Sequence, residues 1–273
     1  MSALLEVAGI SISFGGLKAV QDFDLVLQRG DLQGLIGPNG AGKTTVFNLL
    51  TGVYQPTSGT IRLEGKLLNG MRPFRIAAAG LARTFQASRL FADLSVLDNV
   101  RIGAQLRGSG RLSGTLLRLR RQVAEERAIL ARSETLLDTF GLAGRRHELA
   151  RNLPYGDQRR LEMARALATG PKLLLLDEPA AGMNTQEKLA LRELIRQVRR
   201  QFGVAILLIE HDMGVVMDIC ERITVLDYGL TIAGGTPAEI QSDPKVIAAY
   251  LGAPVEREAA NGAAVPAGDE MDS

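Results

Sequence analysis

Residues 37–44 read Gly37, Pro38, Asn39, Gly40, Ala41, Gly42, Lys43, Thr44 and fit the pattern G-x-x-x-x-G-K-[ST] at one place in the chain. Each residue type meets a physical need. Glycines let consecutive backbone N–H groups curl around phosphate oxygens without Cβ clashes. A helix that opens at Lys43 turns its N-terminus toward the same anion. The Lys43 ammonium can reach β and γ phosphates, the Thr44 hydroxyl can ligate Mg²⁺, and Thr45 completes the phosphate side of the helix start. Alone, the motif specifies a nucleoside triphosphate and no reaction. A chance glycine turn ahead of a helix is the rival reading.

A second cluster supplies a reaction. The apolar run 173–176 ends on Asp177 and Glu178. Adjacent strand residues point to opposite faces, so the two acids need not share a task. Asp177 is placed to hold Mg²⁺, directly or through water. Glu178 can orient and deprotonate an attacking water. Two acids that simply cap a strand in solvent are the alternative. The phosphate loop tips the balance toward hydrolysis.

The surrounding pattern gives the elements that would hold these residues. Period-two alternation in residues 4–14 and 23–30 predicts strands with one covered face, and Gly15 and Gly16 mark a turn between them. A short apolar stretch, 32–37, leads into the phosphate loop, residues 43–50 read as helix, and 57–63 as another strand. From about 91 to 149 the pattern turns helical and charged, with apolar positions 123, 129, 130, 136, 137 and 140 on one stripe. In the last third, apolar runs at 173–176, 204–209 and 223–226 predict strands buried on both faces, with an amphipathic helix over 186–202. Such alternation implies an α/β fold around a mostly parallel sheet.

Composition narrows the function classes. The chain has 273 residues, 46% hydrophobic and 23% charged, as expected of a globular protein. The single cysteine, Cys220, excludes an intramolecular disulfide framework and a Cys-cluster metal site. Two histidines, His147 and His211, argue against a His-rich metal centre. A net charge of +2 argues against bulk nucleic-acid binding. That balance hides an asymmetry: residues 101–132 hold eight Arg and two Glu, while 253–273 hold one Arg and five acids. The arginines read as a solvated helical face, with lipid headgroups as the rival partner. No aromatic residues interleave them for stacking on single strands. The longest uncharged stretch, 44–61, is 18 residues but too polar for a bilayer core. An early Glu6 and no basic start argue against a signal peptide, so a cytoplasmic protein is expected. After Gly252 the Ala-, Gly-, Glu- and Pro-rich end predicts a disordered tail over 253–273.

Further motifs carry a family resemblance. Asn152, Leu153, Pro154, Tyr155, Gly156, Asp157 and Gln158, ahead of a helix expected over 159–168, resemble the signature loop of ATP-binding cassette (ABC) ATPases, usually Leu-Ser-Gly-Gly-Gln. Gln86 resembles the family's Q-loop, residues 181–184 its D-loop and His211 its switch histidine. Phe14 stands where an aromatic ring stacks on adenine. The order of these motifs is similar to the ABC pattern over about residues 4–251. The fold this implies is the P-loop NTPase ABC-ATPase fold. It has a mostly parallel sheet core, an antiparallel β subdomain and a helical subdomain of about 87–168, inserted in one ATPase domain spanning 4–252. A narrower resemblance rests on RTFQASRLFADLSVLDNV (83–100), the Arg-rich insert, LPYGDQRRLEMARAL (153–167), DEPAAGMN (177–184), LLIEHDM (207–213) and AYLG (249–252). These look like the ATPase subunit of hydrophobic, branched-chain (LIV-type) amino-acid importers.

The resemblance implies ATP and Mg²⁺ as cofactors and ATP hydrolysis as the reaction. It implies Glu178 as base, Lys43 as charge stabiliser, His211 as a γ-phosphate contact, and Gln86 as a Mg²⁺ sensor that signals to a membrane partner. Tyr155, Gly156, Asp157 and Gln158 would face the nucleotide of a second subunit. The partners implied are integral membrane permease subunits and a second ABC ATPase subunit, either a different chain or a second copy. An extracytoplasmic solute-binding protein would be reached indirectly, and nucleic acid is not among the partners. The place implied is the cytoplasmic face of the inner membrane, peripherally. Departures from the usual pattern are Pro154 for Ser, Tyr155 for the first Gly, Asp157 for Gln and Phe14 for the commoner Tyr. Loss of the Ser hydroxyl predicts a weaker half-site. Urea and short-amide importers carry similar ATPases, and soluble ABC proteins of DNA repair or translation are the remoter alternative. A P-loop GTPase would need an Asn/Thr-Lys-x-Asp motif, which is not found.

Overall fold

A computed structural model describes residues 3–85, 90–105 and 118–251. Gln86, residues 106–117 of the Arg-rich insert and the expected tail lie outside the described residues. In chain order the strands are β1 Leu5–Phe14, β2 Leu17–Leu27, β3 Leu32–Ile36, β4 Ser58–Leu63, β5 Lys66–Leu67, β6 Leu81–Arg83, β7 Leu173–Asp177, β8 Ala205–Ile209, β9 Arg222–Asp227 and β10 Leu230–Gly235. The α-helices are α1 Lys43–Leu50, α2 Pro73–Ala79, α3 Val96–Gln105, α4 Arg118–Thr139, α5 Tyr155–Ala168, α6 Thr185–Phe202, α7 Met213–Ile219, α8 Pro237–Ser242 and α9 Pro244–Leu251.

Among the described residues the strands form two sheets. The smaller, antiparallel sheet has the order β2-β1-β4-β5, and the larger the order β10-β9-β3-β8-β7-β6. In the larger sheet β9, β3, β8, β7 and β6 run parallel, and β10 joins antiparallel at the edge. The sequence motifs thus sit on a P-loop type core with an antiparallel β layer, and helices α3–α5 lie between β6 and β7 in the chain.

The apolar runs are buried on both faces, as their composition predicts. Leu173 and Leu175 of β7 join Phe23 and Phe47 in one core cluster between the sheets. Leu174 and Leu176 join the other cluster, against α3, α5 and α6. Strand alternation alone divides these four leucines between two cores. The amphipathic helix α6 starts one residue earlier than expected, at Thr185. Asn184 caps it by accepting from Glu187 N at 3.0 Å, and Glu187 Oε2 accepts from Asn184 N at 2.8 Å.

Candidate active site

The predicted phosphate-side residues gather at the carboxyl ends of the parallel strands. β3 runs into loop 37–42, and α1 opens at Lys43. The loop uses glycine where only glycine fits. A Cβ on Gly37 would fall 2.0 Å from Leu226 O, and one on Gly42 would fall 2.5 Å from Ala19 O. Both residues also have positive φ, 149° and 104°. Asn39 and Gly40 are exposed at the tip, Pro38 is half-buried and Ala41 is buried. The Lys43 side chain is buried, and Nζ donates to Gly37 O at 2.6 Å and to Pro38 O at 2.9 Å. Burial holds its ammonium below the usual lysine range, and the charges of Glu178 and Asp177 oppose that shift. Thr44 is exposed and Thr45 half-buried on the first turn of α1.

Asp177 closes β7 and is buried. Its Oδ2 accepts from Arg83 NH2 at 2.7 Å, and its N–H donates to Thr84 Oγ1 at 3.2 Å. Arg83 also donates through NH1 to Asn48 Oδ1 of α1 at 2.7 Å, and its guanidinium stacks on the Phe47 and Phe85 rings. One side chain therefore ties β6, β7 and α1 together beneath the phosphate loop. Glu178, the next residue, leaves the strand with φ 50°, and its N–H donates to Ile209 O at 2.9 Å. This carboxylate meets His211: Glu178 Oε1 and His211 Nε2 are 2.5 Å apart. The two residues implied as base and switch are thus in direct contact.

The signature residues need one correction. The helix expected from Arg159 begins at Tyr155, so residues 155–158 form its first turn rather than a preceding loop. Pro154, at φ −54° and ψ 153°, is the N-cap, and its carbonyl accepts the first helical bond, from Gln158 N at 3.0 Å. Gly156 in the first turn hides this start in the sequence, because glycine is a poor helix former. The N–H groups of Tyr155, Gly156 and Asp157 consequently stand at a helix start, where no intrahelical acceptor exists. The Tyr155 hydroxyl accepts from Arg159 NH2 at 2.7 Å and from Arg159 Nε at 3.0 Å. Arg159 NH1 donates to Phe85 O at 2.8 Å, the residue before Gln86. The Tyr155 ring also covers Gly182, 3.3 Å from where a Cβ there would sit. Asp157 pairs with Arg160 at 3.4 Å, and Gln158 Nε2 donates to Leu153 O at 2.9 Å.

Phe14 is exposed at the end of β1 and meets Tyr54 edge to face, ring centroids 5.1 Å apart. Sequence reasoning gave Tyr54 no role. It also passed over Arg83, Arg159 and Glu210. Glu210 lies between β8 and His211 and is buried. Its Oε1 accepts from Ala180 N at 2.6 Å and its Oε2 from His211 N at 3.1 Å. Burial pushes its carboxyl above the usual range, against the pull of these backbone donors.

The residues fit a nucleotide and its metal. A Cβ at Gly37 or Gly42 would collide with the Leu226 or Ala19 carbonyl, so glycine lets the loop keep the curl with which its N–H groups can surround a polyphosphate. Among the described residues no three His, Cys, Asp or Glu side chains converge as a metal cage. The Thr44 hydroxyl beside Lys43 and the Asp177 carboxylate, whose charge acts on Lys43 together with that of Glu178, are hard oxygen ligands of the kind Mg²⁺ takes when phosphate and water complete its shell.

The phosphate loop leaves β3, the paired acids end β7, and β8 with His211 lies between them. That arrangement defines a P-loop nucleoside triphosphatase. A family model described as "ABC transporter" matches residues 20–181. Another, described as "Branched-chain amino acid ATP-binding cassette transporter", matches residues 231–256. The high-affinity branched-chain amino acid transport ATP-binding protein LivG of Escherichia coli is 48% identical over 250 residues, 91% of this chain and 98% of that protein. BraF of Pseudomonas aeruginosa, of the same description, is 43% identical over 249 residues, 91% of this chain and 98% of its own. The crystal structure of the ADP conformation of an ATP-binding cassette of an ABC transporter superposes with a TM-score of 0.80 at 28% identity. The match covers 92% of this chain and 100% of that one. The chain belongs to the ABC transporter ATP-binding family and is an ATPase.

Proposed function

We propose that this ATPase is the energy-coupling subunit of an importer for branched-chain amino acids. The observation that carries the solute class is the match at residues 231–256. It lies outside the phosphate loop, paired acids and signature helix that cassettes of every solute share, so it can separate one transporter class from another. No helix among the described residues is long and apolar enough to cross a membrane. The reading therefore assigns the membrane path to separate permease subunits, with this chain placed peripherally on the cytoplasmic face. Residues 4–252 are read as the working unit, the helical part about 87–168 included.

Bound ATP with Mg²⁺ would supply a γ-phosphoryl group for in-line transfer to water, giving ADP and phosphate. The backbone of residues 37–42 and the start of α1 hold the phosphates. Lys43, kept by two loop carbonyls, turns its charge to the transferring oxygens. Thr44, Asp177 and Gln86 are the residues that would hold the metal. Glu178 orients water and takes its proton, and His211 fixes the Glu178 carboxylate from the neighbouring loop. Phe14, with Tyr54 at its edge, offers a ring face to adenine. Residues 155–158 present a helix start to the nucleotide of a second ATPase subunit, an anion site made of backbone dipoles. A cavity of about 620 Å³ between α2, α3 and α5 is lined by Ile76, Phe91, Ile102 and Thr84. It also includes Phe85, beside Gln86, and so offers a seat from which a permease helix could feel the site.

The test is uptake of labelled leucine, with labelled urea alongside, in cells whose only copy carries Lys43→Ala. Leucine uptake falls and urea uptake holds if the reading is right. A fall in urea alone moves the chain to a urea importer and leaves the ATPase intact. Detergent co-purification of multi-span membrane proteins checks the partner class separately.

A further inference from the structure

We propose that Glu210 is a positioning residue for hydrolysis, a single carboxylate that clasps the loop after Glu178 to the loop that carries His211. The inference rests on the reading of Glu178 as base and His211 as its contact. It assigns a role to a residue that neither the phosphate loop nor the paired acids use.

Three observations converge. Glu210 is 3% exposed, and a buried carboxylate persists only where donors satisfy it. Its two oxygens serve two different loops. Oε1 accepts from Ala180 N at 2.6 Å, two residues after Glu178, and Oε2 accepts from His211 N at 3.1 Å, with Asp212 N at 3.5 Å. Between these anchors lies Glu178 at φ 50°, a backbone that a residue with a Cβ keeps only where its neighbours over-determine it. The Glu178 N–H is itself tied to Ile209 O, the residue before Glu210. The strained turn is thus pinned at its start by β8 and at its end by Glu210. The same carboxylate fixes the backbone of His211, whose ring meets Glu178. Neutral polar side chains could fill one loop's need. Only a carboxylate brings two acceptors and no donor, which is what two facing sets of N–H groups require.

The isosteric Glu210→Gln is the decisive variant. An amide has one acceptor oxygen, so it can serve Ala180 or His211 but must turn its NH₂ against the other. We expect kcat for ATP to fall about tenfold while KM stays within about twofold, the signature of a lost transition-state alignment. Thermal melts report whether the variant is folded, and Glu210→Ala, if it folds, falls further. In a Glu178→Gln background the residual turnover should not drop again, because an aligner has nothing left to align. Wild-type kcat in Glu210→Gln overturns the proposal. So does a loss that multiplies in full with that of Glu178→Gln, or a lowered melting temperature with kcat unchanged. If Glu178→Gln itself turns over normally, the reading of the base has failed and this inference falls with it. If Glu178→Gln is inactive while Glu210→Gln is unimpaired, only the role of Glu210 is lost.

Discussion

Arg83 NH2 and Asp177 Oδ2 pair at 2.7 Å with side chains only 7% and 4% exposed. Removing one partner of such a pair strands the other charge, at a cost of about 3–5 kcal/mol. Arg83→Met should therefore lower unfolding stability by that order, read from denaturant melts. Arg83→Lys should fall between, because an ammonium lacks the fork that reaches Asn48 and Asp177 together. Wild-type stability in Arg83→Met would show that the pair holds nothing in place.

Lys43 and Glu178 should separate binding from chemistry. Lys43→Ala is expected to abolish turnover, since it removes the cation held at the loop by the Gly37 and Pro38 carbonyls. Glu178→Gln should cut phosphate release by about 10²–10⁴-fold, the usual worth of a general base. It should also accumulate an ATP-bound dimer on size exclusion. Normal turnover in that variant would sink the base assignment.

Asp212 ties pH to stability. Lys188 Nζ donates to its Oδ2 at 2.6 Å, and this partner is the main cause of a pKa below the ordinary 3.8. A depressed carboxylate lends stability that is complete well above 3.8 and drains away as pH falls through the lowered value. Asp212→Asn keeps the cap to Val215 but loses the ion pair. At neutral pH it should cost about 0.5–1 kcal/mol, since solvent still reaches and screens this half-buried pair. The gap from wild type should close on acidification below 3.8. A gap that is constant with pH would exclude the pair as its source.

Cys220 should be silent in the folded chain. Burial pushes its thiol up to about 12, and Sγ packs 3.2 Å from where a Cβ on Gly34 would sit. Alkylation at mildly alkaline pH should be slow until denaturant is added, then fast, as mass spectrometry would show. Rapid labelling of native protein would place the thiol at the surface.

Local chemistry was legible in the sequence; long-range chemistry was not. The phosphate loop and the paired acids are contiguous, so residue types and spacing reveal them directly. The long strands show through their alternation, and the buried ones through their unbroken apolar runs. β6 escaped because three residues carry no period, and α2 because seven residues give less than two turns of signal. Both ends of α2 were nonetheless marked, by Pro73 and Gly80. Arg83, Arg159 and Glu210 escaped for a different reason. Each has a partner distant in sequence, Asp177 for Arg83, Phe85 for Arg159 and Ala180 for Glu210, and only folding brings them together. Tyr155 reads in sequence only as one of three departures from the usual signature, beside Pro154 and Asp157. Its hydroxyl accepts twice from Arg159, one turn further along the same helix.

β6 and β7 are neighbours in register, from Leu81 opposite Leu173 to Arg83 opposite Leu175, and Lys172 N donates to Gly80 O at 2.7 Å. The chain leaves the sheet after one of these strands and returns on the other, with α3, α4 and α5 built in between. The two ends of that excursion stand side by side on the sheet, and its α3 and α5 pack back onto Leu174 and Leu176 of β7. The position is a graft joint. A helical stretch exchanged there would enter and leave at one point of the sheet and would carry residues 155–158 of α5 with it, so the membrane-facing helices and the helix start offered to a second nucleotide are inherited as one piece.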